Sequence, residues 1–170
     1  MLDNAAAKGV IVRHGVAARD IVTENGRVIG VRTNGNDGPE TLHAKVVIDA
    51  TGRDTLLASK MDWKHRDPDL NKIAIFTYFS GAKRDPGLDE GATTVAYIPD
   101  KGWFWYIPLA DDVTSLGVVG DTDYLLRGRG TAAEIFDEEL AKCPALLQRM
   151  TNARRADEDT HVAREFSYRA

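Results

Sequence analysis

Two short stretches carry residue types that could do chemistry. One is Trp103-Phe104-Trp105-Tyr106-Ile107-Pro108, four consecutive aromatics followed by an aliphatic residue and a proline. An indole offers a broad apolar face with one polar atom at its edge, so a strand presenting alternate indoles can wall a pocket for a flat ligand. Alternation places Trp103, Trp105, Ile107 and Leu109 on one face and Phe104, Tyr106 and Pro108 on the other. Both faces then need cover, and from physics alone a sheet packed on two sides by its own core is the better account of the run. The other stretch is Asp49-Ala50-Thr51-Gly52, which closes the apolar run Val46-Val47-Ile48. Small residues after a strand let backbone approach a ligand closely. An ordinary strand-to-helix turn uses the same residue types and stands beside that reading.

Other candidates are weaker. His14, His43, His65 and His161 fall at no ligand-like spacing, so they read as surface or internally satisfied histidines and no metal is expected. Asp121-Thr122-Asp123 lacks the glycine and distal glutamate of a calcium loop. Ser59, Ser80, Ser115 and Ser167 have no nucleophile-elbow context. Arg127-Gly128-Arg129-Gly130 and Arg154-Arg155-Ala156 read as solvated loops, and Cys143, just before Pro144, as structural.

The elements that must position these residues follow from local pattern. Leu2 to Lys8 predicts a helix ending at Gly9, with Val10 to Val12 as a strand. Val16 to Thr33 predicts a hairpin turning at Asn25-Gly26, and a second turn falls at Asn34 to Gly38. Thr41 to Asp49 predicts a strand buried on both faces, followed by a helix from Asp54 to Lys60 capped by Asp54. Asp62 to Asn71 reads as a polar linker. Lys72 to Gly81, Thr93 to Ile98, Trp103 to Leu109 and Val113 to Val119 predict one mainly antiparallel sheet, because their connections are short and turn-rich. Gly120-Asp121 reads as a plain loop. Thr131 to Glu134 is a capping box opening a helix that Pro144 interrupts, and His161 to Tyr168 predicts a last strand.

The chain has 170 residues, 43% hydrophobic and 28% charged, enough for one domain or two small lobes. Its 22 basic against 26 acidic residues leave a net charge of −4, which argues against nucleic acid as a partner. One cysteine excludes an internal disulfide and suits a reducing cytoplasm. No stretch approaches the roughly 18 apolar residues of a membrane span, and the opening MLDNAAAKGV does not read as a signal peptide.

Taken in order, Asp49-Ala50-Thr51-Gly52 and then W-x-W-x-I-P at 103–108 resemble the flavin-dependent halogenases and their neighbours. These are FAD-dependent oxidoreductases with the para-hydroxybenzoate hydroxylase type of fold. LDNAAAKGV at the start and Arg164 to Arg169 near the end are similar to segments of the same family, so the resemblance spans nearly the whole chain. It implies an internal segment of a longer flavoprotein, inactive alone, in an α+β fold that joins part of an FAD-binding α/β domain to an antiparallel substrate-domain sheet. The implied divisions are residues 1–62 for the partial FAD domain with its hairpin, 63–130 for the sheet, and 131–170 for a helix and returning strand. It further implies that Asp49, Ala50, Thr51 and Gly52 lie near FAD, that Trp103, Trp105 and Pro108 wall the substrate region, and that the substrate is a small molecule. No G-x-G-x-x-G follows an N-terminal strand, so FAD affinity in this chain is expected to be weak or absent. No catalytic residue is assigned. A reductase or hydroxylase of the same superfamily, resembling the geranylgeranyl reductases, is the alternative enzyme, and a non-catalytic binding module the alternative of another class. An unpaired Val46 to Asp49 strand predicts self-association of the isolated chain.

Overall fold

Asn25 and Gly26 both take positive φ, 50° and 76°, the conformation that joins two right-twisted strands through two residues. They connect β1 (Ala17–Glu24) to β2 (Arg27–Gly35), and β3 (Gly38–His43) adds to the other edge, giving a three-stranded antiparallel meander. The structure, a computed structural model, describes residues 1–169. These divide into one unit of Met1–Asp67 with the chain from Ser167, and a second of Pro68–Phe166.

In the first unit, α1 (Leu2–Ala7) precedes the meander and α2 (Leu56–Lys60) follows it. Two sequence expectations fail here. Val10 to Val12 forms no strand, and the expected strand from Thr41 to Asp49 stops at His43, where the ladder with β2 ends at the Gly30–His43 pair. Beyond that point Val46 and Ile48 are 73% and 84% exposed, because among the described residues no strand lies beside them to satisfy their backbone. The expected cap also moves. Asp54 lies in a 3₁₀ turn at Gly52–Asp54, and the N-cap of α2 is Thr55, whose φ of 47° is left-handed.

The predicted linker holds a short strand, β4 (His65–Arg66). In the second unit β5 (Lys72–Ser80), β6 (Thr94–Ile98), β7 (Gly102–Pro108) and β8 (Val113–Asp121) form the expected antiparallel sheet. Gly120 and Asp121 are its last rungs rather than a loop, paired with Ile73 and Lys72. After α3 (Thr122–Leu126), α4 (Ala132–Ala141) opens on the predicted capping box: Thr131 Oγ1 accepts from the Glu134 N–H, and the Glu134 carboxylate accepts from the Thr131 N–H. Pro144 then starts α5 (Pro144–Arg149). The Arg154-Arg155 pair is not a solvated loop. It forms β9 (Arg154–Arg155) on β5, with the Arg155 guanidinium 5.7 and 5.6 Å from the ring centres of Phe79 and Phe136.

The predicted last strand splits. β10 (His161–Arg164) pairs with β5, whereas β11 (Tyr168–Arg169) pairs with β4 in the first unit. Spatial order in the main sheet is β10-β5-β8-β7-β6. Its helix-side face holds Ile73, Ile75, Phe104, Tyr106, Leu116 and Val118, buried against Ile135, Phe136 and Leu140 of α4. Each such large side chain contributes about 1.5–3 kcal/mol by leaving water. Among the described residues, no helix is long and apolar enough to cross a membrane.

Candidate functional site

The residues of β7 that do not enter the core build the opposite face. Register places Trp105 beside Gly117, Gly117 beside Phe76, and Phe76 beside His161, so one row crosses four strands on a single face. Glycine is required at its centre. A Cβ on Gly117 would stand 2.3 Å from Trp105 Cζ2 and 2.7 Å from Phe76 Cβ, so only a bare backbone lets the indole lie across β8. The indole is fixed at its edge as well, since Nε1 donates to Ser115 Oγ at 3.1 Å. Ring centres of Trp105 and Phe76 are 5.6 Å apart, those of Phe76 and His161 5.1 Å, and those of Tyr78 and His161 5.8 Å. Trp103 adds a second indole on this face, 36% exposed.

Pro108 belongs elsewhere. It pairs with Thr114 and shares the face of Phe104 and Tyr106, as its position in the alternation requires. The structure therefore brings Trp103 and Trp105 to one surface and leaves Pro108 at the end of β7 on the other side. Phe76, Tyr78, Ser115, Gly117 and His161 join the aromatic face without having been singled out in the sequence. Alternation in KIAIFTYFS already puts Phe76 and Tyr78 together, but the row needs the register between strands, which no single strand encodes.

Asp49, Ala50, Thr51 and Gly52 lie in the first unit and cohere as a loop. One Asp49 oxygen accepts from the Thr51 N–H at 3.0 Å and the Thr51 hydroxyl at 2.7 Å, and the other from the Leu57 N–H at 2.7 Å. Thr51 Oγ1 in turn accepts from the Leu56 N–H at 3.0 Å. Between them Asp49 and Thr51 satisfy the N–H groups of the first two residues of α2. These bonds, the Thr51 hydroxyl's first, hold the Asp49 carboxyl below its ordinary pKa. The Asp49 carboxylate is engaged within the loop, and all four residues of the stretch are exposed. Gly52 has φ of 61° and nothing within 4 Å of a Cβ placed on it. Asp49 and Thr51 also line, with Ile21, Val31, Val47 and Leu57, a cavity of about 50 Å³, small enough to be packing rather than a ligand site.

The fold is mixed α/β with antiparallel sheets, and known proteins narrow it. The tryptophan halogenase family model matches residues 1–162, and the chain belongs to that family. It is 29% identical over 170 residues to a 1H-pyrrole-2-carbonyl-[peptidyl-carrier protein] brominase of Pseudoalteromonas luteoviolacea, covering 97% of this chain and 41% of the brominase. The crystal structure of the flavin-dependent brominase Bmp2 superposes with a TM-score of 0.85 at 26% identity, over 98% of this chain and 42% of that one. A geranylgeranyl bacteriochlorophyll reductase-like protein of Thermoplasma acidophilum shares the fold, with a TM-score of 0.65 at 18% identity over 88% of this chain and 36% of that one. The chain thus spans less than half the length of each of these relatives.

Proposed function

We propose that this chain is the central segment of an FAD-dependent, halogenase-type oxidoreductase, that its aromatic sheet face lines the small-molecule substrate region, and that the segment alone is catalytically silent. The observation that carries the reading is the indole of Trp105, held flat by Gly117 and Ser115 on an open face of a halogenase-family sheet. A ring pinned at both its face and its edge is pre-organised to stack on a planar ligand and to keep water from it. Trp103 widens that wall. Pro108 contributes by ending β7, since it has no N–H to extend the ladder.

The Asp49 to Gly52 loop fits FAD as an approach surface. Gly52 leaves open space where a side chain would stand, Ala50 is small, and Asp49 holds the loop in shape instead of offering a free carboxylate. When bound, FAD supplies the redox and oxygen chemistry that side chains lack. This chain's residues would position the ring and exclude water. The 170 residues contain no G-x-G-x-x-G to hold the pyrophosphate, which supports peripheral binding only, with affinity reduced more than about a thousandfold relative to a whole flavoenzyme.

Titration of the purified chain with FAD, followed by tryptophan fluorescence and gel filtration, tests this. The expected result is little quenching, no FAD retained on the column, and no turnover with reduced flavin, oxygen and halide. A yellow protein that keeps stoichiometric FAD through gel filtration overturns it. The exposed Val46 and Ile48 support self-association of the isolated chain, which light scattering checks across a concentration series. A reductase-type activity is the second reading, favoured by the shared fold alone.

A further inference from the structure

We infer that His161, oriented by Asp157, is a specificity-determining residue that accepts a hydrogen bond from a ring N–H or O–H of an aromatic ligand stacked on the Trp105–Phe76 face. The inference rests on the proposed substrate role of that face. Register places His161 directly beside Phe76, and Phe76 stands between the imidazole and the Trp105 indole, 5.1 Å from one and 5.6 Å from the other. A planar ligand lying over Phe76 would therefore meet an indole on one flank and an imidazole on the other.

The imidazole has a defined polarity. Its Nε2 lies 2.8 Å from Asp157 Oδ2, and the carboxylate is itself fixed because Asp157 Oδ1 accepts from the Asp159 N–H at 2.9 Å. A carboxylate can only accept, so Nε2 carries a proton, and in the neutral form of the ring Nδ1 is then an acceptor. Among the described residues Nδ1 has no hydrogen-bond partner, and the His161 side chain is 38% exposed. The other polar atoms on this face differ in kind. Ser115 Oγ already accepts from the Trp105 N–H and the Tyr78 hydroxyl can both donate and accept, whereas the imidazole is oriented by Asp157 and lies directly beside Phe76. The contact is a hydrogen bond only, with no bond broken.

The test uses the full chain, with nuclear magnetic resonance of the Trp105 indole N–H and the His161 ring, titrated with phenol and with anisole, which has the same ring without the O–H. Both probes are expected to shift Trp105, and phenol alone to shift His161. Phenol is expected to bind about tenfold more tightly than anisole, the scale of one hydrogen bond. His161→Phe keeps a ring against Phe76 and is expected to retain the Trp105 response while abolishing the preference. His161→Leu serves the same purpose if the first variant does not fold. Equal binding of the two probes, or a preference that survives in either variant, overturns the role of His161 and leaves the stacking face standing. No response of Trp105 to either probe removes the face reading and this inference with it.

Discussion

On one face of the β10-β5-β8-β7-β6 sheet Phe104 and Tyr106 are fully buried, with Phe104 edge-on to Phe136 of α4. One residue along the same strand, on the other face, Trp103 and Trp105 stand partly exposed, Trp105 against Phe76, which in turn meets His161. The four aromatics are adjacent in sequence and differ only in which side the pleat turns them to. The helix-side face is closed by packing and the Tyr106 hydroxyl is spent on the Lys83 carbonyl at 2.6 Å. The opposite face keeps its rings in place by local devices, a glycine under Trp105 and a serine at its edge. Substitutions on the first face should therefore read out as stability, and those on the second as local ring geometry.

The largest separation is expected from Phe104→Ala, which leaves a cavity against Phe136 and should lower unfolding free energy by about 3–5 kcal/mol in a denaturant titration. An effect no larger than that of a Trp103 substitution would break the distinction between the faces. The helix that closes the core face has its own anchor. Glu139 is 1% exposed and accepts from Lys142 Nζ at 2.8 Å and the Tyr124 hydroxyl at 2.8 Å, with Arg129 at 2.7 Å. Burial pushes its pKa up, but the donors Lys142, Tyr124 and Arg129 together outweigh burial and hold the carboxyl below its ordinary value of 4.5. A depressed carboxyl adds stability that is full above the unfolded value and lost as pH falls through the folded one. Glu139→Gln should cost about 2–3 kcal/mol at neutral pH and flatten the loss of melting temperature on going below pH 4.5.

Gly117→Ala sharpens the comparison from the open side. Its Cβ collides with the indole, so about 1–3 kcal/mol of overpacking is expected together with a changed near-ultraviolet circular dichroism signal of Trp105. Trp103→Ala should cost about 1–2 kcal/mol, less than Phe104→Ala because the side chain is already 36% exposed, and its loss should appear in ligand response as well as in melting.

How far the sequence discloses the molecule follows the same division. Strands 72–80 and 103–108 are legible because alternate residues of each are buried, 113–121 because short turn-rich connections tie it to its neighbour although both its faces are buried, and the Asn25-Gly26 turn and the Thr131 to Glu134 capping box because their chemistry is local. The row joining Trp105 to His161 is not, since it is made by register between residues far apart in the chain. His161 stood among four unremarkable histidines until β10 was paired. The strand expected at Val46 to Asp49 shows the opposite failure. Its composition is that of a buried strand, but a strand exists only with a neighbour, and among the described residues it has none. Asp49 likewise carries the acidic type of a cofactor residue while its bonds are those of a helix cap.

The position of β5 between β10 and the β8-β7-β6 meander bears on the order in which the molecule assembles. β6, β7 and β8 are joined by tight connections and need only short loops to close, whereas Phe76 meets His161 after more than eighty intervening residues. Loop closure of that length is entropically costly and slow relative to local pairing. The meander is thus expected to form early and β10 to dock late, so the indole half of the aromatic row is in place before its imidazole half arrives. Partial unfolding should reverse that sequence, with amide exchange in His161–Arg164 faster than in Val113–Asp121.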